Sequence, residues 1–262
     1  MIHQEISKVV KITELAEKTF RVVLIAPHIS SNARAGQFIE ILPSSNWNHI
    51  MRRPMSIASQ SNNEISIIFK VVGDGTRLMS QWKVDDAVDI IGPLGNYWSD
   101  YEEYFPIIIG GGVGIAPILN LNNDLENKGI DHYMIMGARS KPEHFLNHEP
   151  DTNIAITTDD GSYGLHGNVI DALKTFIHTP RNITNYKIFT CGPPKMMDAV
   201  KDFAIEHDIE CDLSLEALMA CGIGNCQGCA VQRKSNSDEN TYRTKYALVC
   251  KDGPIFNAKE LA

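Results

Sequence analysis

Four of the six cysteines, Cys221, Cys226, Cys229 and Cys250, fall in the last 42 residues of a 262-residue chain. Their spacing, C-x4-C-x2-C-x20-C, is the plant-type arrangement in which four thiolates hold a [2Fe–2S] cluster. The intervening residues of the first nine, Gly222-Ile223-Gly224-Asn225 and Gln227-Gly228, are small or uncharged. A tight loop of this kind can aim backbone N–H groups at the cluster sulfurs and stabilise the extra negative charge of the reduced state. A four-cysteine zinc site is the alternative. Structural zinc usually draws on two separated C-x2-C pairs, whereas here three cysteines sit in nine residues and one is distant. Cys211 is expected to be a small buried hydrophobe rather than a ligand.

Two other segments have residue types suited to phosphate. Gly110-Gly111-Gly112-Val113-Gly114-Ile115-Ala116-Pro117 follows the apolar Ile107-Ile108-Ile109 and precedes a helical pattern. Glycines there let the backbone approach a phosphate while the helix start supplies N–H donors; tight strand–helix packing is the other explanation. No acidic residue for a ribose stands directly after the next strand, where Gly137-Ala138-Arg139 is found, and Arg139 could instead favour a 2′-phosphate or be a solvated surface charge. In Arg52-Arg53-Pro54-Met55-Ser56, Arg53 and Ser56 could give a pyrophosphate a charge-assisted bond and a hydroxyl, or the arginines could simply end a surface loop. Asp159 and Asp160 could bond a ribose or cap the turn into Gly161.

The elements that must position these groups come in two kinds. Val9–Ile12, Phe20–Ala26, Phe38–Leu42, Glu64–Val72 and Ala87–Ile91 read as short strands punctuated by turn residues, which predicts an antiparallel barrel or sandwich, with a short helix over Gly75–Lys83. After Gly92-Pro93-Leu94-Gly95, strands at Pro106–Ile109, His132–Gly137, Ile154–Thr158 and Lys187–Thr190 alternate with helices at Ile115–Asn127, Val169–Ile177 and Lys195–Glu206. This predicts a parallel sheet with helices on both faces. From Leu213 regular signals fade, and Ser235–Asn240 reads as a polar loop. At about 150 residues per domain, the length fits two domains, with the cysteine-bearing tail as a third element ordered by its cluster.

Composition narrows the function classes. Hydrophobic residues make up 43% and charged residues 21%, which excludes wholesale disorder. A net charge of −8 without a basic run argues against nucleic-acid binding. The start lacks a basic, apolar leader, and the longest uncharged stretch, Tyr104–Asn123, is broken by Pro106, Pro117 and four glycines, so it reads as strand, turn and helix rather than a membrane span. A cytoplasmic chain whose cysteines bind metal or do redox chemistry is expected.

Together, Arg53-x-x-Ser56, Gly73-Asp74-Gly75-Thr76, Gly110–Pro117 and Cys191-Gly192-Pro193-Pro194-Lys195-Met196, in this order, resemble the ferredoxin–NADP reductase superfamily. With the cysteine loop added, and with Arg-Arg-Pro-Met-Ser (52–56), Gly-Pro-Leu-Gly-Asn (92–96), Thr-Asp-Asp-Gly-Ser-Tyr-Gly (158–164) and Met-Ala-Cys-Gly-Ile-Gly (219–224), the whole chain resembles the family of electron-transfer subunits of NAD-linked (class 1B) dihydroorotate dehydrogenases. The resemblance implies a flavin-binding antiparallel β-barrel (1–100), a parallel-sheet α/β NAD-binding domain (101–212) and a small C-terminal [2Fe–2S] subdomain (213–262). It implies FAD with its pyrophosphate near Arg53 and Ser56, with Pro54 and Met55 beside the ring system and Lys70, Val71, Val72, Gly75 and Thr76 in contact. The broader superfamily usually has an aromatic where Met55 stands. NAD, the electron acceptor, would lie over Gly111, Gly112 and Gly114 with its nicotinamide toward Cys191 and Gly192.

The resemblance also implies a partner, an FMN-containing catalytic subunit that oxidises dihydroorotate during pyrimidine (UMP) biosynthesis, in a heterotetramer of two plus two. Electrons would pass singly through the cluster to FAD and leave as a hydride to NAD, a division that suits the three groups. No general acid or base is nominated. The alternative within the superfamily is the small flavin and iron–sulfur subunit of an NAD(P)H:ferredoxin or sulfide oxidoreductase. An oxygenase reductase would be expected to carry a larger cluster module than the 50 residues after Asp212. A non-enzymatic sensor is the alternative from a different class.

Overall fold

The computed structural model describes residues 1–45, 50–180, 183, 185–234 and 241–261; the polar stretch at 235–240 lies outside them. The first part holds β1 (His3–Ala16), β2 (Thr19–Ile25), α1 (Pro27–Ser30), β3 (Phe38–Ile41), β4 (Arg53–Ser61), β5 (Glu64–Lys70), α2 (Asp74–Met79) and β6 (Ala87–Leu94). These six strands close an antiparallel barrel in the order β1-β2-β5-β4-β3-β6. Alternation fixes which side faces in. Along β2, Val22 and Leu24 are buried while Arg21 and Ile25 are exposed, the period of two expected of a half-solvated strand. β5 is buried on both sides, Ile65, Ile67 and Phe69 in the barrel core and Ile68 in a core shared with the second part.

The second part holds β7 (Phe105–Gly111), α3 (Ile115–Lys128), β8 (Tyr133–Ala138), β9 (Ile154–Thr158), β10 (Leu165–His166), α4 (Val169–His178), β11 (Tyr186–Cys191), α5 (Pro194–Glu206) and β12 (Glu210–Ser214). The sheet runs β10-β9-β8-β7-β11-β12, with every pair parallel. The central strand β7 sends Ile107 and Ile109 into one core and Ile108 into the other, which is why it reads as an unbroken apolar run. α3 buries Ile115, Ile118, Leu121 and Leu125 and ends at Gly129 in the left-handed conformation. α4 starts at a reciprocal cap, in which Asn168 accepts from Ile170 N and Asp171 N while Asp171 accepts from Asn168 N.

Two expectations change. Arg53–Ser56 is the start of strand β4, not a loop before one. It pairs with β3, Arg53 opposite Ile41 and Ser56 opposite Phe38, whereas pairing with β5 begins only at Ile57. Pro54 is tolerated because this stretch is laddered on one side only. The cysteine-bearing segment is also less separate than its weak signals imply. β12 runs across position 212, and the segment adds β13 (Ala230–Gln232), α6 (Tyr242–Lys245), β14 (Tyr246–Leu248) and β15 (Ile255–Asn257). β15 pairs antiparallel with β12 as the seventh strand of the main sheet. Cys229, Ala247, Val249, Cys250 and Phe256 share a core with Phe203 of the nucleotide side and Phe38 and Leu94 of the barrel. Asn96 fastens β15, accepting from Ile255 N at 2.9 Å and donating to Ile255 O at 2.8 Å.

Among the described residues no helix is long and apolar enough to cross a membrane. Phe189 of β11 is fully buried, edge-on to Trp98 at 5.6 Å and Tyr101 at 6.3 Å. Phe189→Ala is expected to destabilise the fold by roughly 3–5 kcal/mol, measured as a lowered urea midpoint by tryptophan fluorescence; an unmoved midpoint would show that the connecting segment does not depend on this contact.

Candidate cofactor cleft and cluster loop

Where β4 and β5 part, a half-open cleft of about 220 Å³ opens. Pro54, Met55 and Ser56 form one wall, Lys70 and Val72 another, with Thr76 at the start of α2. Cys191 reaches it from the end of β11, and Ser214–Ala217 with Met219 close the third side. The lining is largely apolar with a few hydroxyl, amine and carboxylate groups, the usual make-up of a site for a flat organic ligand. Val72 is 83% exposed at its rim.

The two neighbouring arginines have separate jobs. Arg52 is tied down, with Nη2 2.8 Å from Asp89 Oδ2 and Nη1 donating to Asp89 O at 3.1 Å. Arg53 donates only to backbone carbonyls, Met51 O at 2.9 Å and Arg52 O at 3.1 Å, and among the described residues it has no carboxylate within ion-pair distance. Its guanidinium lies against Gly75, where a Cβ would come within 2.8 Å of Arg53 Nε. Arg53 and Gly75 are therefore one unit next to Pro54 and Thr76 of the cleft lining, with a cationic charge left for an anionic group. The Thr76 hydroxyl is taken up by the preceding turn, accepting from Val72 N at 3.0 Å and Gly73 N at 3.2 Å. Val71 turns away and packs against the barrel core. Lys70 crosses to the nucleotide side and pairs with Glu143 at 2.9 Å.

The glycine turn at the end of β7 meets the turn at the end of β11 where the strand order of the sheet reverses. Ligands of open α/β sheets bind at such crevices. Gly112 has φ +56°, a left-handed backbone that favours glycine. Gly111 and Gly114 answer to packing: a Cβ on Gly114 would stand 2.4 Å from the Cys191 carbonyl, and one on Gly111 would be 2.6 Å from Met196 Sδ. Gly192 is likewise confined between Met196 and the Gly111 backbone. Cys191 is 2% exposed, and burial pushes its thiol far up, so it stays protonated. Asp160 caps its own turn, accepting from Ser162 N at 2.9 Å and Ser162 Oγ at 2.6 Å.

Around the cysteines, backbone N–H groups point at sulfur. Gly224 N lies 3.1 Å from Cys250 Sγ, Asn225 N 3.3 Å and Cys226 N 3.4 Å from Cys221 Sγ, Gly228 N 3.5 Å from Cys226 Sγ and Cys250 N 3.4 Å from Cys229 Sγ. Cys229 and Cys250 lie 3.2 Å apart, and the Cys226 thiol is within bonding reach of Cys221. Among the described residues no three candidate ligands converge as on a single ion. Two pairs of thiols ringed by N–H donors fit a two-iron cluster of net negative charge. Burial works to raise the Cys221 pKa, but the N–H groups of Cys226, Ile223 and Asn225 together outweigh it and bring the thiol down to about 6. Cys250 is pushed up to about 12 by burial and by Cys229 beside it. Gly222 has φ +67° and rests on the barrel, where its Cβ would fall 2.6 Å from Glu40 Cγ.

Sequence reasoning did not find Glu40, Glu143 or Ser214–Met219. Glu40 is fully buried with neither carboxylate oxygen bonded among the described residues, and burial, opposed by Arg52, raises it to about 7. Its only signal is an acid inside an apolar strand, Phe38-Ile39-Glu40-Ile41. Glu216 is raised by burial as well. Cys211 is buried in β12 as expected.

Residues 216–262 match the iron–sulfur cluster binding domain of dihydroorotate dehydrogenase B, and residues 108–202 match the oxidoreductase NAD-binding domain. A protein of Listeria welshimeri named dihydroorotate dehydrogenase B (NAD(+)), electron transfer subunit, is 34% identical over 97% of this chain and 97% of its own length. This chain belongs to the family of dihydroorotate dehydrogenase B electron transfer subunits. Another member, from Fusobacterium nucleatum, is 31% identical over 95% of this chain and 94% of its own. Among solved structures, an NADH-dependent reduced ferredoxin–NADP oxidoreductase of flavin-based electron bifurcation superposes with a TM-score of 0.84 at 28% identity, covering 98% of this chain and 90% of that one. The ferredoxin reductase in carbazole 1,9a-dioxygenase shares the fold, with a TM-score of 0.67 at 19% identity over 79% and 67% of the two chains.

Removing the Arg53 guanidinium, which among the described residues has no carboxylate within ion-pair distance, tests the anion of the cleft. Arg53→Ala is expected to weaken FAD binding about tenfold or more, since a bond to a charged group is lost, measured as flavin retained through desalting. Undiminished flavin would place the pyrophosphate elsewhere.

Proposed function

We propose that this chain carries electrons from a [2Fe–2S] cluster on Cys221, Cys226, Cys229 and Cys250, by way of FAD in the cleft, to NAD, as the electron transfer subunit of an NAD-linked dihydroorotate dehydrogenase. One observation carries the reading. The segment that closes the cleft runs directly into the cysteine loop: Met219 lines the cleft and Cys221 follows two positions later. This supports a cluster loop that adjoins the flavin cleft, with Cys191 at the nicotinamide end on the cleft's edge, and membership of the family supplies the substrate.

The three groups divide the chemistry, since FAD when bound exchanges single electrons with an iron–sulfur cluster and a hydride with a nicotinamide. The chain's own residues bind and orient. Arg53, with Gly75 leaving it room, and Ser56 would hold the pyrophosphate; Pro54 and Met55 would lie beside the ring system, Lys70, Val72 and Thr76 would contact the flavin, and Val71 would support them from the barrel core. The turn at Gly111, Gly112 and Gly114 receives the dinucleotide, with Cys191 and Gly192 at the nicotinamide end. The N–H groups of the cysteine loop favour the reduced cluster. No side chain need move a proton in hydride transfer, so no catalytic residue is assigned.

The work divides among residues 1–100, 101–212 and 213–262, with β12 and β15 joining the last two. The family name implies a catalytic subunit as partner; an FMN in that subunit, a two-plus-two assembly and a cytoplasmic location complete the proposal. The likeness to the reduced ferredoxin–NADP oxidoreductase keeps a second reading, electron exchange with ferredoxin.

Cys226→Ser is expected to abolish the visible iron–sulfur signal and lower bound iron while FAD remains; stoichiometric zinc without iron in anaerobically prepared wild type would overturn the cluster. Co-expression with a dihydroorotate dehydrogenase catalytic subunit is expected to give a stable complex that reduces NAD with dihydroorotate. Failure of both binding and turnover would favour the ferredoxin reading.

A further inference from the structure

A nicotinamide dinucleotide lying over the glycine turn brings its adenine ribose to the C-terminal end of the next strand, where an acidic residue recognises the 2′-hydroxyl of NAD or an arginine the 2′-phosphate of NADP. Here that strand is β8, and the residue directly after it is Arg139. Sequence alone leaves Arg139 as a candidate 2′-phosphate ligand and shows no acid beside it.

The structure supplies the acid from four residues further on. Glu143 accepts from Arg139 N at 3.2 Å, the first N–H beyond β8, and from Arg139 Nη2 at 2.7 Å and Nε at 3.4 Å. Lys70 Nζ donates to it from the barrel at 2.9 Å. These four donors take up the roughly four acceptor positions of a carboxylate. Glu143 also walls a hollow that runs from Gly112 past Gly137 and Ala138 to His144, the path from the glycine turn to the end of β8. Arg139, with Lys70 and against burial, holds the Glu143 carboxyl at about 2, so it is ionised throughout the physiological range. Asp159 and Asp160 follow β9 alongside, with Asp159 N bonded to Ala138 O at 3.1 Å and Asp160 N to Arg139 O at 3.2 Å. Lys141 is drawn off over the Tyr163 ring at 5.6 Å.

We propose that Glu143, steadied by Lys70, makes this site discriminate against 2′-phosphorylated dinucleotides, by engaging Arg139, the cation that would neutralise a 2′-phosphate, and by fixing a negative charge where that phosphate would sit. The inference rests on the nicotinamide-nucleotide reading above and deepens it, assigning the preference for NAD to a residue outside the strand-end position. A dianionic 2′-phosphate would have to break the Arg139–Glu143 pair and would then face Glu143 and Asp159. An uncharged 2′-hydroxyl meets no such repulsion.

The test compares wild type, Glu143→Gln and Glu143→Gln/Arg139→Ala, each checked for folding by thermal melting. Two readouts are used: kcat/KM for NADH against NADPH with ferricyanide as acceptor, and calorimetric binding of 2′,5′-ADP against 5′-AMP, which needs no electron transfer. In Glu143→Gln the NADH:NADPH preference is expected to fall at least about tenfold and 2′,5′-ADP to gain on 5′-AMP by a similar factor, as one charged hydrogen bond becomes available. Removing Arg139 in that background is expected to restore the preference for NADH. Unmoved ratios in Glu143→Gln, or a shift that survives loss of Arg139, would overturn the inference. Wild type that oxidises neither nucleotide would overturn the functional reading instead, while the two adenosine phosphates would still decide the role of Glu143.

Discussion

At Gly114 there is room for a hydrogen and nothing larger, because the Cys191 carbonyl stands where a Cβ would be. That steric limit locks the turn after β7 to the turn after β11, the two strands on either side of the reversal in sheet order. With the turns locked, Cys191 is carried to the cleft and the path for a dinucleotide is set beside it. On the barrel side, β4 and β5 separate just where Pro54 offers no N–H to a second ladder. The cleft is the space these two local rules leave between them, and the segment from Ser214 to Met219 covers its remaining side.

The electrostatics follow the same division. Cations near the cleft are either paired or left available by position: Arg52 is held by Asp89, Lys70 and Arg139 by Glu143, and Arg53 by carbonyl oxygens alone. Among the described residues, the donors to the sulfurs of the cysteine loop are backbone N–H groups and neighbouring thiols. The loop relies on N–H groups exposed by the left-handed turns at Gly222, Gly224 and Gln227, which oriented backbone can supply without the desolvation cost of a buried lysine or arginine.

The cysteine loop was legible in the sequence because ligand spacing is local, and the alternating strands and helices were legible because each buries a periodic face. β4 was not, since Pro54 and the two arginines look like a loop until the one-sided ladder is seen. The inward packing of the Val71 side chain was not legible either, because strand ends do not announce which way they turn. Glu143 and Glu40 were missed for a common reason. Each meets a group far away in sequence, Lys70 on the barrel for Glu143 and Gly222 for Glu40, and although Glu143 also pairs with Arg139 four residues before it, no spacing rule links the distant contacts. The tail was read as a module ordered by metal, whereas its apolar residues enter a core that both larger parts already share.

The pairing of β15 with β12 has a consequence for the order in which the molecule can be finished. A chain made from its N-terminus has all of the parallel strands before any of the cysteine loop. Until Ile255–Asn257 emerges, β12 ends the sheet with an open row of N–H and C=O groups, the kind of edge that recruits other chains. The strand that seals it arrives only after Cys250. Closure of the sheet and completion of the thiolate set therefore fall within the same short interval of synthesis, and a nascent chain arrested before that point would expose a sticky edge and an incomplete ligand set at once.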